Sequence, residues 1–328
     1  MPWPGAHNYQ HRTESKNRGK SKEEAPTLDI LEPQNAWGRL NIIGERIQKL
    51  DSYRYGLVIF AADHGISTEA VSLYAPLKTS MLAEQHLRGV APTSRLLTRL
   101  QRPELIVDVG LYNEIEVSEM LISSKVCHGS RHFIYEDGLS PEEATAALDC
   151  GARIYKEKIG DGFDIIGVGE LGIANTLCAA AVAAAVTGIN PDQLVGRGST
   201  DHKVIAKKTE IIYRAFEHRI PDSNHLTDIL ARFGGLEIAA LTGFMVEACR
   251  DGKLVMLDGY VTAVAALLAN LLDDQVSSCL IAPSLSDQRG HQLVLDKIGL
   301  EAVFNLGINY GEGLAAALGM FLGEIMMQ

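Results

Sequence analysis

Cysteine is scarce in this sequence, and its five cysteines are too scattered to form a metal-binding pair. They are Cys127, Cys150, Cys178, Cys249 and Cys279, and none lies in a C-x-x-C pattern. Their spacing excludes the common zinc motifs, so we expect no bound metal. Scattered thiols are typical of core residues in a reducing compartment. No N-terminal apolar segment suggests a signal peptide, and we therefore expect a cytoplasmic protein.

Positive charge is also scarce, with 30 lysines and arginines against 41 aspartates and glutamates and a formal net charge of -11. Nucleic acids and anionic membrane surfaces select basic patches, so the composition argues against both as partners. The longest apolar stretch, at about 257–272, contains Asp258 and Gly259 and is not typical of a membrane span. A small anionic substrate remains compatible with this charge because it needs only a few local donors.

Apolar runs of strand length alternate with helical patterns through most of the chain. The runs lie at 55–60, 104–110, 163–169, 253–259 and 278–284. Because each is apolar throughout, the pattern predicts an α/β fold with a Rossmann-like, mostly parallel sheet and helices on both faces. Ligands of such sheets bind beyond the carboxyl ends of the strands. The loops "ADHG", "GVGELG", "LDGY" and "APSLS" should therefore line one site.

The N-terminal segment differs in composition from the rest of the chain. Residues 1–26 are polar, charged and without periodicity, which predicts a disordered or loosely ordered tail before a single domain at 27–328. Short amphipathic helices are predicted within 28–31 and 37–50.

The clearest helix start is at Ser140, which is followed by a proline and, three residues on, by Glu143. This is a capping box with proline at the first helical position. We expect the helix to run to about Lys158 and to stop at Gly160. A second helix is predicted after Gly234-Gly235, through 236–249.

A G-x-G-x-x-G pattern at 167–172 follows one predicted strand and is typical of dinucleotide-binding folds. That fold requires an acidic residue at the end of the next strand, about 20 residues on. Asp192 lies at nearly that distance, but within an Asn-Pro-Asp turn, so we reject NAD as a ligand. The turn still allows backbone to approach a ligand, and the next helix offers free N–H groups. Asn175 and Thr176 add polar side chains there.

A second glycine loop, "VGRGST" (195–200), precedes a helix that carries Lys207 and Lys208. Arg197 and one of these lysines could neutralise a phosphate group. Spacing alone equally fits a surface turn with a solvated basic helix face. No Walker sequence is present, so two such loops favour a nucleoside monophosphate over a triphosphate.

Several of these loops occur together in one known family. The segments are "AADHGISTEAVSLY" (61–74), "GELGIANT" (169–176), "VGRGS" (195–199), "GGLEIAALTG" (234–243), "VMLDGYVTAVAAL" (255–267) and "GEGLAAALGM" (311–320). In order and spacing they resemble the nicotinate-nucleotide–dimethylbenzimidazole phosphoribosyltransferase family, from about residue 27 to the C-terminus.

The resemblance implies transfer of the ribose 5-phosphate of nicotinate mononucleotide to an aromatic acceptor. Nicotinate is released and the product is an α-ribosyl phosphate used as a cobamide lower ligand. It also implies that no metal or organic cofactor takes part. The expected architecture is a large α/β core with a small helical domain built from both chain ends, in a homodimer or, with a paralogous subunit, a heterodimer.

The resemblance also implies the roles of particular residues. Glu312, within Gly-Glu-Gly, would be the base that takes the acceptor's proton. The nucleotide would be bound by Glu170, Gly172, Asn175, Thr176, Gly198, Ser199 and Lys208. Gly235, Glu237 and Asp258 match family positions too, and Asp258 equally suits a structural acid at the end of its strand. The acceptor would lie against Ser72, Met81, Leu171 and Tyr310.

Some positions depart from the family pattern. Leu177 replaces a hydroxyl residue, Pro283-Ser284 replaces a Ser-His pair, Met81 replaces a glutamine, and Asn309-Tyr310 replaces Arg-Leu. A glutamine can hydrogen-bond a ring nitrogen, whereas methionine offers apolar contact. We therefore predict a phenolic acceptor rather than a standard benzimidazole. The alternative is a weak or inactive paralogue that binds a nucleotide and supports an active partner subunit.

Overall fold

The computed structural model describes residues 38–74, 78–199 and 203–327. The predicted tail at 1–26 and the predicted helix within 28–31 lie outside the described residues. Seven strands form one sheet in the order β3-β2-β1-β4-β5-β6-β7, and every neighbouring pair is parallel. The strands are β1 (Tyr55–Ala62), β2 (Glu104–Gly110), β3 (Leu121–Ser123), β4 (Ile165–Leu171), β5 (Leu254–Met256), β6 (Leu280–Ser284) and β7 (Ala302–Phe304).

Helices connect the strands and cover both faces of the sheet, which confirms the predicted α/β class. They are α1 (Asn41–Ile47), α2 (Thr79–Leu87), α3 (Pro92–Leu100), α4 (Pro141–Ile154), α5 (Asn175–Thr187), α6 (Pro191–Leu194), α7 (Lys203–His218), α8 (Leu226–Phe233), α9 (Leu236–Arg250), α10 (Tyr260–Leu272), α11 (Arg289–Ile298) and α12 (Leu314–Met327). In the described part of the chain, no helix combines the length and apolar character needed to cross a membrane.

The central strand β1 shows how the two faces are filled. All eight of its residues are buried, and they alternate between two apolar clusters. Val58, Phe60 and Ala62 join the cluster that includes α4, α5, α9 and α10. Leu57, Ile59 and Ala61 join the cluster that includes α1, α2, α3 and α12. Side chains of a strand point to opposite faces in turn, so one apolar run supplies both layers.

Elements near the two chain ends pack against each other. Ile43 of α1 and Met320 of α12 lie in the same apolar cluster, and the Tyr53 hydroxyl donates to the Met320 carbonyl at 2.6 Å. This contact fits the predicted helical part built from both ends. The limits of that part, and the domain boundary at residue 27, stay predictions.

The prediction for α4 is confirmed at its start. The Glu143 amide donates to Ser140 Oγ at 3.1 Å, and the Ser140 amide donates to Glu143 Oε2 at 2.7 Å. The α-helix ends at Ile154, and a π-helical turn, Tyr155–Ile159, continues it to Gly160.

Strand boundaries differ from the predictions where apolar residues continue into loops or helices. The first two residues of the run at 278–284 belong to a 3₁₀ helix, Asp274–Cys279, and only Leu280–Ser284 is a strand. The run at 253–259 forms only the three-residue β5. Residues 188–194 form a turn and the short α6, capped by Asn190, rather than a strand. Asp192 therefore has no strand end to occupy, which agrees with rejecting the dinucleotide fold.

Candidate active site

A cavity of about 330 Å³ opens at the carboxyl ends of the strands. Its walls come from the loops that follow β1, β4, β5, β6 and β7, together with the loop before α7. Of the residues assigned to the base, the nucleotide or the acceptor, the structure brings all but Met81 to it, namely Ser72, Glu170, Leu171, Gly172, Asn175, Thr176, Gly198, Ser199, Lys208, Tyr310 and Glu312.

Met81 does not line this cavity. It lies on α2 with 45% of its surface exposed, whereas the next residue, Leu82, lines the cavity wall. Consecutive residues of a helix point about 100° apart, so adjacent positions face different surroundings. Leu82, which the sequence did not single out, supplies the apolar contact that we expected of Met81.

The loop before α12 holds Glu312 in an uncommon backbone conformation. Gly311, Glu312 and Gly313 have φ angles of 75°, 56° and 78°, all in the left-handed region. Glycine adopts this region readily, whereas glutamate does so at a cost. Such strain is concentrated at functional sites, where surrounding structure holds it in place. The Glu312 side chain is nearly buried, with 11% of its surface exposed.

Gly169, one of the fingerprint glycines, supports this same loop. A β-carbon on Gly169 would lie 2.8 Å from the Gly313 amide nitrogen and 2.9 Å from its α-carbon. Backbone therefore approaches backbone here, and only glycine leaves the space. Gly169 on β4 thus packs against the Glu312 loop.

His86, on α2, is a neighbour of Glu312 that sequence reasoning missed. Its Nε2 lies 2.8 Å from Glu312 Oε2, and its Nδ1 lies 2.7 Å from Glu104 Oε1. Burial opposes a charge on His86, but the two carboxylates outweigh it and raise the pKa of His86 to about 9. The sequence signal is faint: His86 lies one helical turn after Leu82, on the buried side of α2.

Other acidic groups surround the cavity near Glu312. Burial, followed by the charge of Asp258, raises the pKa of Glu170 well above its ordinary value, although a hydrogen bond from Asn175 opposes this. Burial also raises the pKa of Asp258 to about 6, against the effect of backbone N–H donors at the start of α12. One of these donors, the Ala315 amide, lies 2.8 Å from Asp258 Oδ1. Asp258 thus lines the cavity and also caps a helix.

Tyr310 stands beside Glu312 in the cavity wall. Burial, followed by its hydrogen bond to Glu312, raises the pKa of the Tyr310 hydroxyl. The phenol therefore stays protonated and can donate to the carboxylate. This places a ring and a hydroxyl where the family pattern has leucine.

The opposite end of the cavity is suited to an anion. The Lys208 side chain is buried and its Nζ donates to the Arg197 carbonyl at 3.2 Å. Burial lowers the pKa of Lys208 to about 8, and no carboxylate within the described ranges forms an ion pair with it. A β-carbon on Gly198 would lie 2.6 Å from Lys208 Nζ and 3.1 Å from Thr176 Oγ1. Lysine, hydroxyl and glycine backbone thus converge beside the first turn of α5.

The sequence left open which lysine would face the ligand. Lys208 lines the cavity, whereas Lys207 is exposed and lies 3.7 Å from the Glu69 carboxylate. Arg197 also lines the cavity and pairs with Asp287 at 3.0 Å. At the rim, Ser72 Oγ lies 3.1 Å from Ser199 Oγ.

Gly235 and Glu237 lie beneath the site rather than in its wall. His64 Nε2 is 3.0 Å from Glu237 Oε1, and both side chains are completely buried. A β-carbon on Gly235 would be 2.3 Å from His64 Cε1, and one on Gly172 would be 2.6 Å from His64 Nε2. Gly172 therefore has a packing role in addition to its place in the cavity wall.

The arrangement defines the class of protein. A carboxylate and a buried lysine share one cavity at the carboxyl edge of a parallel sheet, which suits a transferase that holds a phosphorylated substrate and removes a proton. Across 38–74, 78–199 and 203–327, no three His, Cys, Asp or Glu side chains are grouped to hold a metal ion.

Comparison with known proteins identifies the family. A family model described as phosphoribosyltransferase matches residues 16–326. Two relatives named nicotinate-nucleotide–dimethylbenzimidazole phosphoribosyltransferase are each 33% identical: that of Desulforudis audaxviator (90% of this chain, 85% of the relative) and that of a Roseiflexus species (90% and 86%). The crystal structure of CobT from Thermus thermophilus has a TM-score of 0.84 at 30% identity, covering 90% of this chain and 91% of that one.

The chain therefore belongs to the phosphoribosyltransferase family whose relatives carry this name, as its motifs indicated. It is an enzyme of the pentosyltransferase class.

Proposed function

We propose that this chain transfers the 5-phosphoribosyl group of nicotinate mononucleotide to an aromatic acceptor. The bond between ribose C1 and the pyridine nitrogen breaks, and nicotinate leaves with the electron pair. The acceptor's nitrogen or oxygen forms the new bond from the other face, which gives the α anomer. The acceptor's proton passes to Glu312. The product would serve as a precursor of a cobamide lower ligand.

One observation carries this proposal: Glu312 and Lys208 line the same cavity. The phosphate would bind Lys208, Gly198, Ser199 and Thr176 and the first turn of α5. The ribose and pyridine would then extend toward Glu170 and Glu312. The departing pyridine becomes neutral, so it needs little acid catalysis, whereas the acceptor needs a base. No step requires a cofactor.

The acceptor is proposed to be a phenol, such as a cresol. Tyr310 supports this proposal because its ring occupies part of the cavity wall next to Glu312 and leaves less room for a bicyclic base. Ser72, Leu171 and Leu82 would complete the acceptor's surroundings. Met81 is exposed and does not line the cavity.

The test is a reaction of the purified chain with nicotinate mononucleotide and a panel of acceptors, including dimethylbenzimidazole, adenine, phenol and p-cresol. Nicotinate release is followed by chromatography, and proton NMR assigns the anomeric configuration of the product. We expect acceptor-dependent release with the phenols. Release only with dimethylbenzimidazole would exclude the phenolic proposal and retain the transferase.

A chain that binds the nucleotide without releasing nicotinate from it would be the paralogue of the alternative hypothesis. Calorimetric binding of nicotinate mononucleotide separates that case from complete loss of the site. The oligomeric state and the cytoplasmic location stay predictions, which ultracentrifugation and fractionation of the source cells would test.

A further inference from the structure

The imidazole of His86 is a buried group to which the reaction above assigns no task. Its side chain has no exposed surface and contacts two carboxylates, Glu104 on one side and Glu312 on the other. Ser94 Oγ lies 3.1 Å from the Nδ1 atom that also faces Glu104. The base of the proposed reaction is thus linked through one ring to a second acidic residue at the start of β2.

His86 carries a positive charge at neutral pH. Its raised pKa means that both ring nitrogens bear hydrogen, and each donates to one carboxylate. Hydrogen bonds between ionised groups are shorter and stronger than neutral ones. The imidazolium lies between two acidic side chains and offsets part of the acidity of this end of the cavity.

We infer that His86 is a positioning residue that holds Glu312 by its Oε2 atom in the orientation in which the carboxylate takes the acceptor's proton. The inference rests on the proposed function, in which Glu312 is the base. A glutamate side chain has three rotatable bonds, and here it extends from a loop between two glycines. A fixed partner at Oε2 removes that freedom before the acceptor arrives. Misplacement of a reacting group by about 1 Å can cost about 100-fold in rate.

Packing alone does not account for this arrangement. Burying charged groups costs more than burying an apolar side chain of similar size, even when the charges are paired. Leu82 and Ala83 show that the same side of α2 accepts apolar residues. A histidine between two carboxylates at this place is therefore best explained by its effect on Glu312.

The experiment compares three variants at or beside His86, together with Glu312→Gln and the double variant His86→Gln/Glu312→Gln, with the wild-type chain in steady-state kinetics, varying each substrate in turn. His86→Phe keeps a planar aromatic ring, of somewhat larger volume, and removes both hydrogen bonds. His86→Gln keeps an amide N–H able to reach Glu312. Ser94→Ala, the matched control, removes the other contact of Nδ1 and leaves the bond to Glu312 in place. Circular dichroism and thermal melting establish that each variant is folded.

We expect His86→Phe to lower kcat about 100-fold while the KM for nicotinate mononucleotide changes by less than about threefold. His86→Gln should recover part of kcat, and Ser94→Ala should resemble the wild type. Adding His86→Gln to Glu312→Gln should cost nothing further, because His86 acts through that carboxylate. A folded His86→Phe with wild-type kcat, or losses that multiply in the double variant, would overturn the inference.

An NMR titration of the imidazole keeps the inference testable if His86→Phe does not fold. Nitrogen shifts of His86 should report a protonated ring up to about pH 9 in the wild type, and a lower titration midpoint in Glu312→Gln. An unchanged midpoint would contradict the contact. If the wild type releases no nicotinate with any acceptor, the proposed function fails, while the titration still decides whether His86 holds Glu312.

Discussion

Gly169 of β4 and Gly313 of the loop before α12 touch backbone to backbone. A β-carbon on Gly169 would lie 2.8 Å from the Gly313 nitrogen, and the residue before Gly313 is Glu312. The strand thus sets the position of the proposed base. The two glycines are 144 positions apart in the chain. They meet because β4 lies in the middle of the sheet, between β1 and β5, and the loop before α12 passes over it.

Substituting Gly169 should therefore lower both activity and stability. In Gly169→Ala the methyl group meets backbone that cannot rotate away, so the loop must shift. We expect kcat to fall at least about tenfold and the free energy of unfolding to fall by about 1–3 kcal/mol. Gly167→Ala is the control on the same strand face, because its methyl group meets the flexible Met320 side chain. Equal activity losses in the two variants would contradict this role of Gly169.

Lys208 should make the binding of the nucleotide depend on pH. Burial lowers its pKa to about 8, so the free enzyme carries the charge below about pH 8 and loses it above. Phosphate binds the charged form, and kcat/KM for nicotinate mononucleotide should fall as pH rises through about 8. Bound phosphate favours the charged lysine, so kcat should hold to higher pH.

The same site predicts a contrast between two neighbouring lysines. Lys208→Met should raise the KM for the nucleotide about 10- to 100-fold, the loss expected for one buried charged contact. Lys207→Met, exposed on the same helix, should change it little. Comparable effects of both substitutions would show that the phosphate does not bind at Lys208.

Tyr310 should influence the choice of acceptor. Tyr310→Leu removes the ring and enlarges the cavity beside Glu312, so the ratio of kcat/KM for dimethylbenzimidazole to that for p-cresol should rise at least about tenfold. Tyr310→Phe keeps the ring and removes the hydroxyl, so it separates the effect of the ring's volume from the effect of the hydroxyl. A ratio that shifts in Phe as much as in Leu would assign the effect to the hydroxyl, and no shift in either would remove Tyr310 from acceptor selection.

Asp258 should make stability fall as pH rises from about 4 to 6. Its pKa is raised to about 6 in the folded chain, against the ordinary value of 3.8, so the folded state binds the proton more tightly in that window. Asp258→Asn removes this dependence. The difference in unfolding free energy between wild type and variant, from urea titrations at several pH values, should therefore decrease by about 2–3 kcal/mol over the window. An increase in this difference over the window would contradict a raised pKa of Asp258 in the folded chain.

Sequence predicted the fold best where local and tertiary signals agree. The capping box at Ser140 satisfies backbone N–H groups at the start of α4 with side chains from the same turn. Strand β1 is apolar throughout because both faces of the sheet are covered there. The edge strands β3 and β7 have three residues each, and nothing in so short a segment distinguishes a strand from a loop. The π-helical turn at Tyr155–Ile159 likewise has no local signature.

The site was predictable where a motif fixes the backbone and less so where side chains meet across the fold. The glycine loop after β4 located the cavity because it lies at a strand end, and the family resemblance added Gly-Glu-Gly; the loop at 195–200 lines the same cavity although it follows the short α6. His86 is separated from Glu104 by 18 positions and from Glu312 by 226, so no spacing rule connects them. The assignment of Met81 failed to allow for helix phase, which turns that residue outward and Leu82 inward.

The proposed reaction requires Glu312 as the base, and one comparison tests this requirement most directly. Nicotinate release from nicotinate mononucleotide is measured with and without p-cresol, for the wild type and for Glu312→Gln, which keeps the side-chain shape and loses the basic group. We predict acceptor-dependent release by the wild type, a fall in kcat of at least about 100-fold in the variant, and calorimetric nucleotide binding that changes little. Equal rates for the two folded proteins would contradict the central claim.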